Sequence, residues 1–225
     1  MVRLQQERAA GKQQLMQAAL RLVAGSRSLG SLGLRELARE AGLNPNTFYR
    51  HFDSLDALGL ALIQDLSEQL RQPLRELRRE AAQRAQANGP IGPMVLGVDL
   101  GRSRLVCRET VRLYFRFVEQ NPSGFIVGVR ELHGASPVLR AALREVMEAF
   151  ARDMAEDMLE LGLLGGLEGE TLLRLSSLVS RHLFQSSLDY LEQVDRRASL
   201  SAEAEEMIID LFIGASLLDG LQRRA

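Results

Sequence analysis

The chain has 225 residues and a formal net charge of −1, with 46% hydrophobic and 25% charged residues, which is typical of a globular protein with one or two domains. Its single cysteine, Cys107, excludes an intramolecular disulfide and a cysteine-rich metal site. The longest uncharged run, residues 85–98, is too short and too rich in proline and glycine to span a membrane.

Leucine and alanine are abundant and runs of β-branched residues are scarce, so an all-α fold is predicted. Residues 1–25 lack the apolar segment of a signal peptide, and we expect a cytoplasmic protein with no membrane partner. Residues 1–60 carry eight basic and five acidic side chains, a net charge of +3, whereas the remainder carries −4. A basic end on an acidic body is typical of a DNA-binding protein with a separate sensing domain.

The first helix is predicted over residues 5–24, and its apolar stripe consists of Leu15, Ala18, Ala19, Leu22 and Val23. Leu34, Leu37, Ala38 and Ala41 follow at the spacing of one helical face, and Gly42 supplies the left-handed residue that ends a helix.

A second, very short helix is predicted directly after this one. Asn44 is a typical N-cap and Pro45 a typical first helical residue. The helix is too short to contribute much to a core, yet it concentrates side chains that bind phosphates and base edges: Asn46, Thr47, Tyr49, Arg50 and His51. This pattern indicates a helix-turn-helix recognition unit, with Phe48 and Phe52 packed inward.

Ser54 is expected to cap a helix from Leu55 to about residue 72, Pro73 to break or restart it, and a further segment to end near residue 86. Residues 88–101 are rich in glycine and proline and are predicted to form a loop, with a mobile surface loop favoured over a functional lid.

Five further helices are predicted, at residues 102–119, 123–133, 137–162, 169–194 and 202–222. Ser136 is expected to cap the third of these and Gly162 to end it. By propensity alone, residues 125–129 would also suit a strand. The last two helices are apolar on more than one face, so each needs two packing partners.

The sequence contains no recognisable catalytic or metal site. The only Gly-Lys pair, Gly11 and Lys12, lacks the preceding glycine of a phosphate-binding loop, and residues 165–169 (GGLEG) are interpreted as an interhelical loop. Asp153 and Asp157 are interpreted as part of a solvated face, Cys107 as a packed thiol, and the histidines as isolated. We therefore predict that the chain is not an enzyme.

The segment AREAGLNPNTFYRHF, residues 38–52, resembles the signature of the TetR family of bacterial transcriptional regulators. RHFDSLDALGL, QNPSGF and RELHGASPVLRAALREVMEAF resemble its FabR/DesT subgroup, which controls unsaturated fatty acid synthesis. The resemblance to the family implies a three-helix DNA-binding head over residues 1–54 and a helical ligand-binding and dimerisation body over residues 55–225.

The resemblance also implies roles for individual residues. Tyr49, His51 and Thr47 are expected near DNA phosphates, and Asn46 and Pro45, with the cap Asn44, near base edges. Arg35 is a further candidate for a phosphate contact, and Arg50 is expected either in solvent or on a phosphate. Two positions depart from the family: Gly33 replaces a capping hydroxyl residue, and Leu55, where lysine is common, favours the narrower subgroup.

A repressor of this subgroup is expected to bind long-chain acyl-CoA or an acyl-carrier protein as its effector and to need no cofactor. The expected acyl pocket is lined by Phe115, Phe117, Phe125, Val129, Met147, Phe150, Met154 and Phe184, with Arg116, Arg130 and Arg140 at its mouth. The last two helices are expected to form a homodimer on a palindromic operator, in preference to a thick monomer core. The alternatives are a repressor that responds to another hydrophobic molecule, such as a drug or signal, and an enzyme or adaptor that borrows a helix-turn-helix.

Overall fold

The computed structural model describes residues 2–25, 27–87, 92, 94–95, 98–164 and 167–222, and almost all of them are helical. The α-helices are α1 Val2–Val23, α2 Leu34–Glu40, α3 Leu55–Ala87, α4 Leu100–Gln120, α5 Pro122–Leu132, α6 Pro137–Glu160, α7 Gly169–Glu192 and α8 Arg197–Gln222. Short 3-10 helices occupy Leu29–Ser31, Pro45–Arg50 and Val194–Arg196. The predicted all-α fold is confirmed, and none of these described helices is apolar over a stretch long enough to cross a membrane.

α3 continues through Pro73, so the prediction that this proline breaks or restarts the helix is wrong. A proline in a helix interior removes one backbone hydrogen bond and crowds the preceding turn, at a cost of about 3 kcal/mol. Burial on both sides offsets this cost, because Leu70 and Leu74 are 3% and 4% exposed. Tertiary packing therefore overrides the local signal.

Two short strands occupy part of the segment between α3 and α4, where the sequence predicts a loop. Strands β1 Met94–Val95 and β2 Val98–Asp99 pair antiparallel, with Met94 opposite Asp99. The Asp99 carboxylate accepts a hydrogen bond from the backbone N–H of Arg102 at 3.1 Å, and α4 begins two residues earlier than predicted. Residues 88–91, 93 and 96–97 of this segment, and residues 165–166 of GGLEG, lie outside the described residues.

α5, α6 and α7 begin and end within two residues of the predicted bounds, whereas α8 begins at Arg197, five residues before the predicted start at residue 202. α5 includes residues 125–129, so the helical alternative is confirmed there. Ser136 caps α6 by accepting from the backbone N–H of Leu139 at 3.2 Å. Gly162 follows α6 with a φ of +58°, and the next N–H, from Leu163, reaches back to the carbonyl of Met158. Capping residues thus fix both ends of α6.

The chain divides into two compact units. Unit 1 comprises Met1–Ser67 and Asn121–Val146, and unit 2 comprises Glu68–Gln120 and Met147–Ala225. The division falls within α3, beyond the predicted junction of residues 54 and 55, and unit 1 includes α5 and the start of α6. The functional boundary between a DNA-binding head and a body stays a prediction.

Unit 1 has an apolar core to which α1, α2, α3, α5 and α6 contribute. Buried side chains from these helices include Leu15, Leu37, Leu58, Val127 and Leu139. α3 and α6 approach closely, since a Cβ at Gly59 would lie 2.7 Å from Cδ2 of Leu139. The helices of the predicted head therefore share one core with α5 and the first part of α6.

Unit 2 contains a buried ion-pair cluster between α3 and α6. Asp153 and Asp157 are only 5% and 0% exposed, so the interpretation that they belong to a solvated face is wrong. Their partners are four arginines that recur on one side of α3: Arg71, Arg75, Arg78 and Arg79. Charge pairing explains why two carboxylates can be buried here.

Candidate DNA-binding site

The turn between α2 and the short helix Pro45–Arg50, hereafter the recognition helix, depends on Gly42. Its φ of +69° lies in the left-handed region that glycine adopts without strain. The N–H of Gly42 donates to the carbonyl of Arg39 at 3.1 Å, and that of Leu43 donates to Ala38 at 2.8 Å. These bonds end α2 and direct the chain into the recognition helix.

Asn44 starts the recognition helix as the sequence predicts. Its side-chain oxygen accepts a hydrogen bond from the N–H of Asn46 at 3.0 Å, and Pro45 occupies the first helical position. The backbone forms a 3-10 helix rather than an α-helix, so the segment is narrow and only two turns long. The cap therefore holds the end of the helix expected to meet base edges.

Two phenylalanines anchor the recognition helix to the core of unit 1. Phe48 and Phe52 are 0% and 5% exposed, which confirms that both pack inward, and their ring centroids lie 5.9 Å apart. Tyr49 makes an edge-to-face contact with Phe48 but is 65% exposed. One face of the helix is thus fixed, and the other is presented outward.

The outward face displays the predicted polar side chains. Asn44, Pro45, Asn46 and Arg50 are exposed with Tyr49, while Thr47 and His51 are half-buried. Arg35 is also exposed, in the first turn of α2. Their contacts with DNA stay a prediction.

Arginines neutralise two acidic side chains of α2. Arg27 donates to Glu36 at 2.7 Å, and Arg21 donates to Glu40 at 2.8 Å. The hydrogen bond from Arg27 holds the pKa of Glu36 below its usual value. Both pairs reduce local acidic charge that would otherwise repel phosphates.

The two departures from the family pattern lie at the starts of α2 and α3. Gly33 is the N-cap of α2 and contributes no side-chain hydrogen bond. Before α3, the Ser54 hydroxyl accepts from the N–H of Ala57 at 3.1 Å, as predicted, and Leu55 packs against the core of unit 1. This partly buried, apolar contact of Leu55 is consistent with the absence of a charge there.

Hydrogen bonds from α5 to the connection between α1 and α2 were not predicted from the sequence. Arg130 donates to the carbonyls of Val23 and Ala24 at 3.4 and 3.2 Å, and the buried carboxylate of Glu131 accepts from the N–H of Leu29 at 2.8 Å. A cation at a helix C-terminus and an anion at a helix N-terminus are both favourable. The adjacent Arg-Glu pair in RELHG was the available signal, but nothing in it indicated a partner about a hundred residues away.

The structure distributes the predicted pocket residues over both units. Phe125, Val129 and Arg130 belong to unit 1, where Arg130 caps α1, and Arg140 donates to the carbonyls of Gly134 and Ala135. The predicted pocket residues of unit 2 are Phe115, Arg116, Phe117, Met147, Phe150, Met154 and Phe184.

Unit 2 contains an apolar cavity of about 50 Å³. Met154 lines it from the predicted set, and Phe115 instead stacks on Tyr190 with the ring centroids 4.4 Å apart. The other principal lining residues come from α4, α6, α7 and α8: Val106, Cys107, Thr110, Val111, Met158, Leu183 and Phe212. Burial raises the pKa of the Cys107 thiol to about 12, so this residue acts as a neutral packing group.

Within the described part of the chain, histidine, cysteine, aspartate and glutamate side chains form no group that could hold a metal ion. The recognition helix combines an exposed polar face with a buried aromatic anchor. Such a face can bind phosphates and base edges.

Residues 15–62 match the family model of bacterial regulatory proteins of the tetR family. The matched segment includes most of α1, all of α2 and the recognition helix, and the start of α3. Each feature described above for the recognition helix therefore lies inside the matched region.

The fold is similar to that of three solved regulators at low sequence identity. The fatty acid degradation regulator FadR from Bacillus halodurans is 16% identical, with 90% of this chain and 94% of that chain covered and a TM-score of 0.63. FadR from Bacillus subtilis, solved with stearoyl-CoA, is 15% identical, with 89% and 97% covered and a TM-score of 0.56. Thermus thermophilus FadR, a TetR-family repressor solved with lauroyl-CoA, is 21% identical, with 90% and 93% covered and a TM-score of 0.54. The comparisons therefore show a DNA-binding segment of the tetR type at residues 15–62 and, over most of the chain, a fold shared with these three regulators.

Proposed function

We propose that the chain is a cytoplasmic repressor that binds a palindromic operator through the recognition helix. The observation that carries this proposal is the division of that helix into a buried aromatic anchor and an exposed polar face. Tyr49 and His51 would bind phosphates with Thr47, Arg35 and Arg50, while Asn46 and Pro45, held by Asn44, would meet base edges.

The DNA-binding residues can be tested on duplexes selected from random sequences by the wild-type protein. The double variant Tyr49→Phe, His51→Ala should lose most operator affinity, because it removes two polar groups while the aromatic ring of residue 49 remains. Asp195→Asn, an exposed change in unit 2, serves as the matched surface control. Full affinity in the double variant would contradict the proposed DNA contacts.

We further propose that the effector is a long-chain acyl-CoA or a similar acyl thioester bound in unit 2. The cavity supports this proposal because its lining is almost wholly apolar and includes two adaptable methionines, Met154 and Met158. Its volume of about 50 Å³ is below the range of ligand pockets, roughly 300–1,000 Å³. Ligand binding would therefore require these side chains to move, and this movement would link effector binding to a change of state.

A matched pair of variants in α4 tests the cavity. Cys107→Phe fills the cavity, whereas Leu113→Phe enlarges a half-buried side chain outside its lining. We expect Cys107→Phe alone to abolish the effect of acyl-CoA on operator binding, while both variants stay folded by circular dichroism. An unchanged response in folded Cys107→Phe would reject this cavity as the effector site.

The regulated genes are proposed to be those of fatty acid desaturation or unsaturated fatty acid synthesis. A straight saturated chain and a bent unsaturated chain would select different states of the body. Titration of saturated and unsaturated acyl-CoAs into an operator-binding assay tests this idea, and equal responses would contradict it. Native mass spectrometry of the purified protein would distinguish a bound acyl-CoA from the alternative, another hydrophobic effector.

We propose that α7 and α8 form the homodimer interface. Both helices expose large apolar side chains, namely Leu173, Leu178, Leu217 and Leu218. A palindromic operator requires two recognition helices related by symmetry, which a dimer supplies. Leu218→Asp should shift the protein towards monomer in sedimentation and weaken operator binding, and an unchanged dimer would exclude Leu218 from the interface.

A further inference from the structure

Gly11 lies where α1 meets the end of the recognition helix, and the three atoms nearest to a side chain built there all belong to the imidazole of His51. A Cβ built at Gly11 would lie 2.8 Å from Nε2 and 3.2 Å from Cε1 of His51. Contacts under 3.0 Å do not persist, so a Cβ at this position would force the imidazole to move. The ring of His51 therefore packs directly on the backbone of α1.

The rest of His51 is held from the other side. Its backbone N–H donates to the carbonyl of Phe48 at 2.9 Å, and Phe48 is fully buried. The backbone of His51 is thus tied to the core of unit 1, and α1 limits where its ring can lie. A Cβ at Gly11 would therefore displace the imidazole, at the far end of the side chain, while the backbone of His51 stays in place.

The residue after Gly11 makes a matching contact. The ammonium group of Lys12, the only lysine of the chain, lies 5.9 Å from the ring centroid of Phe52. Gly11 thus contacts His51 and Lys12 contacts Phe52, both within one turn of α1. The contact between Lys12 and Phe52 has the geometry of a favourable cation–π interaction. The Gly-Lys pair, which is not part of a phosphate-binding loop, therefore has a packing role.

Glycine is unfavourable in a helix interior relative to alanine, and Gly11 lies well inside α1. The close approach of the His51 ring gives a local, steric reason for glycine here. We infer that Gly11 is a positioning residue for operator binding: its missing side chain sets the place of the His51 imidazole at the DNA phosphate. This inference rests on the proposed contact between His51 and DNA.

Gly11→Ala separates positioning from stability. Alanine favours the helix, so the thermal midpoint should stay constant or rise by about 2 °C, while affinity for the selected duplex should fall about tenfold because His51 is displaced. Gln14→Ala, one turn later on the exposed face of α1, is the matched control and should leave affinity unchanged.

A double-mutant cycle tests whether the effect acts through His51. In the His51→Ala background there is no ring to displace, so Gly11→Ala should cause no further loss of affinity. An equal loss in both backgrounds, or full affinity in Gly11→Ala, would overturn the inference. If His51→Ala itself binds the duplex as tightly as the wild type, the proposed His51 contact fails, and the inference fails with it.

Discussion

The second half of α3 takes part in buried ion pairs, whereas the buried contacts of the first half are apolar. In unit 1 the first half packs leucines, and Leu58 and Leu62 are 0% and 5% exposed. In unit 2 the second half presents arginines to α6, and Arg78, itself 4% exposed, reaches Asp157 at 2.5 Å. One continuous helix is therefore held by apolar packing in unit 1, and by apolar packing together with buried ion pairs in unit 2.

The difference matters because the two kinds of contact fail differently. Apolar packing loses free energy in proportion to the atoms removed and the cavity left behind. A buried ion pair adds little net stability while it is complete, but the loss of one partner leaves an uncompensated charge. The arginine–aspartate cluster should therefore be more sensitive than the leucine packing to the loss of a single partner.

The largest effect is expected from Asp157→Ala. This change leaves the buried Arg78 without its partner and should lower the free energy of unfolding by about 3–5 kcal/mol, as measured by urea denaturation. Glu160→Ala is the control, since Glu160 pairs with Arg79 at the surface and its loss should cost about 0–1 kcal/mol.

The combined change Arg78→Met, Asp157→Leu sharpens the contrast. It replaces the buried pair with apolar groups, so it should destabilise the protein less than Asp157→Ala alone. A double variant that is less stable than Asp157→Ala would contradict this expectation.

Leu58→Ala tests the apolar half of α3. Truncation of this fully buried side chain should cost about 3 kcal/mol, within the range for leucine in a packed core. Because no charge is involved, the loss should be the same in low and high salt, in denaturation curves recorded at both. A salt-dependent loss would contradict a purely apolar role.

Local signals in the sequence predicted local structure well and distant pairings poorly. The capping role of Asn44, the turn at Gly42 and the inward packing of Phe48 depend on near neighbours, so their pattern is visible in a short segment. Asp153 and Asp157 gave no such signal, because a carboxylate at helical spacing is the same in sequence whether water or arginine surrounds it.

The same limit applies to the predicted pocket. A phenylalanine such as Phe115, which stacks on Tyr190, has the same sequence signature in a core as in a ligand tunnel. Met154 is in the predicted pocket set and lines the cavity. Cys107 and Val111 also line it but are not in that set, because only the packing of α4 against α6, α7 and α8 brings these residues to one cavity. Continuity of α3 through Pro73 was likewise decided by tertiary burial.

Glu131 tests how far a charge contributes within unit 1. Glu131→Leu leaves the buried N–H of Leu29 without its acceptor and should cost about 2 kcal/mol in urea denaturation. Glu131→Gln keeps an acceptor oxygen and should lose less, and it should preserve slow hydrogen exchange at Leu29. Equal losses in the two variants would mean that the carboxylate charge, rather than the hydrogen bond, holds the connection between α1 and α2.

The smallest effect is expected at Glu148, whose carboxylate is partly exposed and so contrasts with Asp157. Hydrogen bonds from Arg181 and Ser177, at 2.6 and 2.8 Å, hold the pKa of Glu148 below its ordinary value of 4.5. A lowered folded-state pKa stabilises the protein above pH 4.5, and this contribution is lost as the pH falls through the folded-state value.

Glu148→Gln keeps the acceptor but removes the charge, so it should cost only about 0.2–1 kcal/mol at pH 7, because solvent screens the pair. In urea titrations from pH 7 to pH 3 the difference from wild type should shrink towards zero, whereas a constant difference would assign the effect to packing instead of charge.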